Sequence, residues 1–423
     1  MYKIQSVKID GFWQKYNAQC NFNPDVNIII GRNGTGKTTF MNILHAVLTV
    51  DITELAENDF ESVTILLSRE EDTRTIQVQK VESDSYPVAQ YKISQDEEKK
   101  QFRLINTEDK RISYSLRRKL LEESLEIRNE LGALVSVASL SVYRLRNDDE
   151  YEVKDRYGSR FISPVDHRLS QALQGLTQFQ LELAQQANGI LEKLQSEVLA
   201  SILYGEDDAT NTAEPVDFNK DEERKDLISA YMQLNSFDEV INAKIDFHVN
   251  SIDDVMQKIG EDELLPQQDT HQAIDIKPLE ARRKTRRIIE LSLEAKKKTQ
   301  ATYSQLELFL KIIKEFMFDK IFKFNSGRLV ISNNSGEIDH TRLSSGEKQL
   351  IILLVEALLQ NQHPHIFLAD EPELSLHIAW QREIIPAVRQ INPNAQVIVA
   401  THSPEIASKY RDSIFDMEEI VHV

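Results

Sequence analysis

Gly31-Arg32-Asn33-Gly34-Thr35-Gly36-Lys37-Thr38 strings glycines along a short loop and closes it with a lysine and a hydroxyl residue. Glycine lets the backbone curl until its N–H groups point inward at an anion, and the helix that follows adds its positive end. This is a P-loop. Lys37 is placed to reach the outer phosphates of a bound nucleotide and Thr38 to offer its hydroxyl to Mg²⁺. The chain from Arg32 through Asn33, Gly34, Thr35 and Gly36 to Thr39 wraps the phosphates. The plainer reading is a Gly-rich turn that only caps a helix. Context disfavours it, because the apolar run Val26 to Ile30 precedes the loop and Phe40-Met41-Asn42-Ile43-Leu44 follows it, as a phosphate site requires.

Three later segments carry matching chemistry. Leu343-Ser344-Ser345-Gly346-Glu347-Lys348-Gln349 opens an apolar helix, Leu350 to Leu359, so free N–H groups and two hydroxyls meet a positive helix end. Taken alone, it is also an ordinary capping sequence. His365-Ile366-Phe367-Leu368-Ala369-Asp370-Glu371-Pro372-Glu373 is a buried strand ending in acids. Asp370 can hold Mg²⁺ beside Thr38, and Glu371 can orient or deprotonate a water beyond the γ-phosphate. Paired acids before a proline also serve as a turn signal. Val397-Ile398-Val399-Ala400-Thr401-His402-Ser403-Pro404 is a further buried strand, ending where His402 can hydrogen-bond the γ-phosphate, although a lone histidine is normally a packing residue. Four phosphate-directed segments at successive strand ends outweigh the plainer readings. Catalysis then falls to Glu371 and His402, and the metal to Thr38 and Asp370.

Positioning these groups takes an α/β core. Lys3 to Asp10 alternates and Val26 to Ile30 is continuously apolar, which predicts two strands joined through Gly11-Phe12-Trp13 and a turn at Asn23-Pro24-Asp25. Phe12 or Trp13 can stack on an adenine, although aromatics beside a sheet are more often simply buried. Short alternating runs from Val63 to Ile105 predict an antiparallel meander, and Ala133 to Tyr143 a return strand. From Pro164 leucines recur at helical spacing. The pattern predicts a long helix over 165–203, an acidic mobile loop over 206–223, helices around 226–234 and 252–259, a break near Pro266 and a very long helix over 277–322. Leu306, Leu310, Ile313, Met317 and Ile321 form an apolar face expected to pack against the helix near 170–200 or to supply an oligomer contact. The chain thus divides into 1–150, the N-terminal core with its β meander; 151–325, an inserted helical lobe; and 326–423, the rest of the core.

Composition sets the outer limits. At 423 residues, 28% charged and 41% hydrophobic, the chain can bury one sizeable core plus another lobe. No apolar run nears the roughly 18 residues of a membrane helix, and Met1 to Gln5 begins a strand pattern without a signal-peptide core, so a cytoplasmic protein without membrane contact is expected. Cys20 is the only cysteine, which excludes an intramolecular disulfide and a thiolate zinc site. A net charge of −18 argues against gripping nucleic acid over the whole surface. Eight basic residues between Arg282 and Lys298 are the local exception. They read as a contact for nucleic acid or an acidic partner, or as a solvated helix face paired with the acidic loop, and no aromatic platform accompanies them.

Together, Gly31–Thr38, Leu343–Gln349, Ile366–Glu371, Glu373-Leu374-Ser375-Leu376-His377 and Ala400-Thr401-His402-Ser403 resemble the Walker A, signature, Walker B, D-loop and switch histidine of an ABC-type ATPase. Ser345-Gly346-Glu347, where transporters carry Gly-Gly-Gln, and the Glu371–His377 segment resemble the OLD-like and SMC-like, AAA15-type branch. No conventional Q-loop glutamine stands out near Tyr143–Asp149. The resemblance implies a head-to-tail dimer, or a higher homo-oligomer, in which Ser344, Ser345, Gly346 and Glu347 of one subunit cover ATP held by Lys37 of the other. OLD nucleases continue into a TOPRIM domain, whereas 21 residues follow His402 here (403–423). The chain is therefore most similar to stand-alone ATPase subunits of antiphage systems, the PARIS type above all. That implies a separate TOPRIM-type nuclease and a phage protein as trigger. A DNA-repair ATPase of the RecF or RecN kind, clamping DNA on dimerisation, is the second reading, and a transporter motor the third.

Overall fold

A computed structural model describes residues 1–82, 87–93, 99–104, 114–141, 151–155, 158–202, 218–234, 237–264 and 277–422. Alternating apolar and polar residues build β1 (Lys3–Phe12) and β2 (Tyr16–Asn21), and a run of buried residues builds β3 (Val26–Ile30). The expectation of two strands overlooks β2. Trp13 and Gln14 both take positive φ, 53° and 65°, and so turn the hairpin without the Asn-Gly pair that usually announces it. Helices α1 (Lys37–Thr49) and α2 (Ile52–Glu57) follow. The expected meander comes next, as β4 (Ser62–Arg69), β5 (Asp72–Val81), β6 (Val88–Ile93) and β7 (Lys100–Arg103). The return strand β8 (Val137–Ser141) starts later than Ala133, because residues 133 and 134 finish α3 (Tyr114–Leu134).

Beyond a hairpin of β9 (Tyr151–Asp155) and β10 (Gly158–Ile162) come α4 (Pro164–Ile202), α5 (Lys220–Gln233), α6 (Glu239–Leu264) and α7 (Lys277–Phe316). Residues 220–223, expected in a loop, open α5 instead. Asn219 caps that helix through the Asp221 and Glu222 N–H groups, and Asp221, Glu222 and Glu223 sit where the positive helix end favours acids. The earlier part of the acidic stretch and Pro266 lie outside the described residues. Helix α7 stops at Phe316, short of the expected 322. The β-prone Ile321-Phe322-Lys323-Phe324 pairs with the next strand through a turn at Ser326 and Gly327 (φ 47° and 84°). This small sheet is β11 (Ile321–Asn325), β12 (Arg328–Asn333) and β13 (Gly336–Ile338). Ile321 is accordingly 46% exposed rather than part of the apolar helix face. The chain closes with α8 (Ser345–Leu359), β14 (His365–Asp370), α9 (Ile378–Ile391), β15 (Ala395–Ala400), α10 (Pro404–Ala407), β16 (Ile414–Asp416), α11 (Met417–Ile420) and β17 (Val421–His422).

Two compact units result, Met1–Thr177 with Leu308–Val423, and Gln178–Glu307. The first holds an antiparallel sheet in the order β17-β2-β1-β4-β5-β6-β7 and a parallel sheet in the order β16-β3-β15-β14-β8. Phe40, Ile43, Leu44 and Val47 of α1 join Val7, Ile9, Val63 and Ile65 of one sheet to Ile29, Leu368 and Ile398 of the other in one continuous core. Cys20 is buried, free, and its thiol is pushed up to about 12 by burial, so it behaves as a small apolar side chain. In the second unit Leu227, Ala230, Ile245, Val249 and Ile289 form one cluster. Leu194 meets Leu291 and Ala295 in another, so the α4–α7 packing there uses residues N-terminal to the face expected from Leu306 onward. Among the described residues no helix is long and apolar enough to cross a membrane.

At the start of β14, His365 is 7% exposed and its Nε2 has no hydrogen-bond partner among the described residues. Burial pushes its pKa down to about 4 from an ordinary 6.5. The unfolded chain therefore protonates this ring at higher pH than the folded one. Stability is undiminished above pH 6.5 and falls as pH drops toward 4, by about 3 kcal/mol at the limit. The gap between urea midpoints at pH 7.5 and pH 5 should accordingly be smaller in His365→Leu than in the parent. Equal gaps would contradict the buried neutral ring.

Candidate functional site

The parallel sheet sets neighbouring strand ends side by side. Ile29 of β3 pairs with Ala400 of β15, and Ala400 with Asp370 of β14, so the loops leaving these three strands emerge at one edge. That edge is where open α/β sheets bind ligands.

The P-loop leaves β3 with Gly34 and Gly36 in positive φ, 86° and 97°. Gly36 is fixed twice over, since a Cβ there would also lie 2.9 Å from Phe12 and 3.0 Å from Trp13. Gly36 is the N-cap of α1 and supplies no side-chain cap, and no acid sits in the first turn, so the leading N–H groups stay available to an anion. Lys37 is 5% exposed, and its Nζ donates to the carbonyls of Gly31 (2.9 Å) and Arg32 (3.1 Å). Burial lowers its pKa, while Glu371, Asp370, Glu373 and Asp416 oppose that shift. A buried ammonium facing carboxylates and resting on loop carbonyls fits the outer phosphates of a nucleotide. Thr38 and Thr39 are half-buried in the first turn, Thr35 Oγ1 donates to the Arg32 carbonyl, and Arg32 itself is 88% exposed, 3.6 Å from Glu418.

Asp370 ends β14 and Glu371 follows with φ 48°. A non-glycine residue in that region costs about 1–3 kcal/mol, strain that the surrounding turn must hold in place. Glu371 N donates to Ala400 O at 2.7 Å, and Glu371 Oε1 lies 3.8 Å from His402 Nε2, so the two expected catalytic side chains are brought together. Among the described residues no three or more His, Cys, Asp or Glu side chains converge as a metal cage. Mg²⁺ needs no such cage, being commonly held by one or two carboxylates together with the nucleotide's phosphates and water, and Asp370 with the Thr38 hydroxyl suits that mode.

The signature helix α8 starts with a complete capping box: Glu347 N donates to Ser344 Oγ at 3.3 Å and Ser344 N to Glu347 Oε2 at 2.9 Å. Lys320 Nζ holds the other Glu347 oxygen at 2.6 Å. Burial works against that carboxylate, but Lys320 and the Ser344 N–H outweigh it and keep its pKa below the usual range. Ser344 and Ser345 stay exposed at the tip. Gly346 is buried, and any Cβ there would overlap the Ser375 carbonyl oxygen, while Gln349 Nε2 donates to the Pro372 carbonyl at 3.3 Å. Lys348–Asp166 (2.7 Å) and Arg168–Glu356 (3.0 Å) tie the same helix to the first turns of α4.

Two participants escape a motif reading. Glu373 accepts hydrogen bonds from the loop that carries His402, and Gln381 of α9 donates to Glu373 and Leu376 carbonyls. The only hint in the sequence is the second acid of Glu371-Pro372-Glu373. At least four of the eight basic residues between Arg282 and Lys298 of α7 pair with carboxylates. Arg282, 8% exposed, binds Glu223 at 3.1 Å, Arg286 and Arg287 flank Glu290, and Lys298 meets Glu294 at 2.6 Å. Residues 142–150, the region of the Q-loop, lie outside the described residues.

A P-loop at the end of β3, with the histidine turn on the neighbouring β15 and the acid-bearing turn on β14 beyond it, defines a nucleoside triphosphatase of ABC type. The chain belongs to the AAA_15 family of AAA ATPase domains, whose model it matches over residues 2–407. Among curated proteins it is 29% identical over 129 residues to the "Retron Ec83 probable ATPase" of Escherichia coli, a match covering 26% of this chain and 24% of that protein. It is 32% identical over 108 residues to the "Septu protein PtuA" of Bacillus thuringiensis, covering 21% and 27%. The chain thus spans about a quarter of the length of the curated relatives it matches. Among solved structures, the Smc head domain of Pyrococcus furiosus superposes at 14% identity and a TM-score of 0.41, covering 96% of this chain and 92% of that one.

Proposed function

We propose that this ATPase is the sensor and scaffold subunit of a bacterial antiphage system. It pairs head to tail with its own copies and holds a separate nuclease, of TOPRIM type, until a phage protein is detected. What carries the reading is one sheet edge bearing a P-loop, acid turn and switch histidine, on a chain whose matched relatives are named for a retron and for Septu. MgATP, when bound, supplies the γ-phosphoryl group that is transferred to water. Arg32 to Gly36 and Thr39 wrap the phosphates with backbone N–H groups, Lys37 neutralises the outer ones, and Thr38 with Asp370 holds the metal. Glu371 removes a proton from the attacking water, and His402 donates to the γ-phosphate oxygens. The exposed Ser344-Ser345-Gly346 tip of α8, backed by Glu347, covers the partner copy's nucleotide. A repair clamp draws less support from α7, because Arg282, Arg286, Arg287 and Lys298 already pair with carboxylates of the same unit.

The chain should be expressed with the product of the adjoining reading frame in a phage-sensitive bacterium. Plaque counts are expected to fall with the pair, and to recover when either gene is omitted or when Lys37→Ala is introduced. Protection by the chain alone, or protection indifferent to Lys37→Ala, would sink the proposal.

A further inference from the structure

We propose that Glu373 is a positioning residue for ATP hydrolysis: its carboxylate grips the turn after β15 and thereby aims His402. This rests on the roles assigned above to Glu371 and His402. The parallel pairing of β14 and β15 runs out at Asp370 and Ala400, with one last bond from Glu371 N to Ala400 O. Past that point Thr401 N turns to Ile29 O of β3 at 3.0 Å, and no further backbone bond among the described residues links the acid turn to the histidine turn.

Glu373 takes over. Its Oε1 accepts from Thr401 Oγ1 at 2.6 Å, from His402 N at 2.8 Å and from Ser403 N at 3.2 Å. Ser403 N also donates to Thr401 Oγ1, and Ser403 Oγ donates to Gln381 Oε1 at 2.7 Å. Gln381 Nε2 returns to the Glu373 and Leu376 carbonyls, closing a ring of bonds between the acid turn, α9 and the histidine turn. Thr401 is fully buried, so its hydroxyl is fixed. Glu373 Oε2 is buried with no hydrogen-bond partner among the described residues, which concentrates the hold on a single oxygen.

His402 depends on this hold. Its ring is 36% exposed, and its Nε2 stands 3.8 Å from Glu371, beyond hydrogen-bond reach. The ring is therefore aimed by its own backbone, and the backbone N–H is bound to Glu373. The short link Glu371-Pro372-Glu373 makes the same turn carry the proposed base and the anchor of the proposed phosphate donor.

The test compares Glu373→Ala and Glu373→Gln in the full chain. In Glu373→Ala, ATP turnover should fall about 10- to 100-fold, the scale for losing hydrogen bonds to a charged group, while ATP affinity stays within about threefold of the parent. Glu373→Gln keeps an accepting oxygen and should return turnover to within about threefold of the parent. In the nucleotide-free protein, amide exchange at His402 and Ser403 should quicken at least about tenfold in Glu373→Ala, with α1 and β14 still protected. Unchanged exchange at both amides would overturn the clamp, and quickened exchange with normal turnover would overturn its catalytic consequence. Affinity and turnover falling together, with α1 losing protection, would make Glu373 a stability residue only. A parent chain that binds ATP without turning it over would instead refute the hydrolytic roles of Glu371 and His402, and the exchange measurement would still decide the clamp.

Discussion

Glu371→Gln should leave ATP binding within a fewfold of the parent and cut phosphate release by about 10²- to 10⁴-fold, the usual contribution of a positioned general base. The amide keeps the volume and the Glu371 N–Ala400 O bond but cannot take a proton from water. Because Lys37, the loop N–H groups and Asp370 are untouched, the triphosphate stays bound. The variant should therefore accumulate as a nucleotide-bound pair, read as a doubling of mass by light scattering after gel filtration with MgATP. The left-handed backbone at Glu371 adds a second readout. Glu371→Gly relieves that strain while removing the carboxyl, so it should raise the melting temperature and abolish turnover, as expected of a site that stores strain for function. Turnover persisting at parental rates in Glu371→Gln would remove the acid from the mechanism.

Lys37→Ala should abolish measurable ATP retention. Deleting one partner of a buried charged contact costs about 2–5 kcal/mol, hence roughly 30- to several-thousand-fold in affinity. The loss goes beyond a missing phosphate contact. Lys37 is the cation that Glu371, Asp370, Glu373 and Asp416 all act upon, so its removal leaves those carboxylates repelling one another and any incoming phosphate. Adding Mg²⁺ alone should then stabilise Lys37→Ala more than it stabilises the parent, a difference that thermal melting can measure. Parental nucleotide affinity in isothermal titration would refute the P-loop assignment.

The phosphate edge was legible in the chain because phosphate chemistry demands fixed residue types at fixed spacing, and the apolar runs at Val26, Ile366 and Val397 could only be strands buried on both faces. Local signals failed where a tertiary partner decides the outcome. The 21-residue α3 is crowded with charge, and its sense emerges only beside the meander, where Lys100 meets Glu126 and Glu130 and Arg103 meets Glu123. The hairpin at Trp13-Gln14 turns through positive φ at residues that rarely advertise it, and at Ser326-Gly327 only the glycine does. Phe316 ends α7 against Trp380, a residue far away in sequence. Glu373 was visible as an acid but not as an anchor, since two of its three donors are backbone N–H groups of a turn that sequence cannot bring near.

The absence of a side chain at Gly346 has mechanical weight. With the Ser375 carbonyl seated where a Cβ would be, the serine tip of α8 packs directly on the loop that follows Glu371. In the proposed reciprocal pair, that packed unit would belong to one pocket through Glu371 and to the opposite pocket through Ser344 and Ser345. Loss of a γ-phosphate on one side of the proposed pair would then displace the lid on the other, and the two sites would fire in concert or in turn rather than independently.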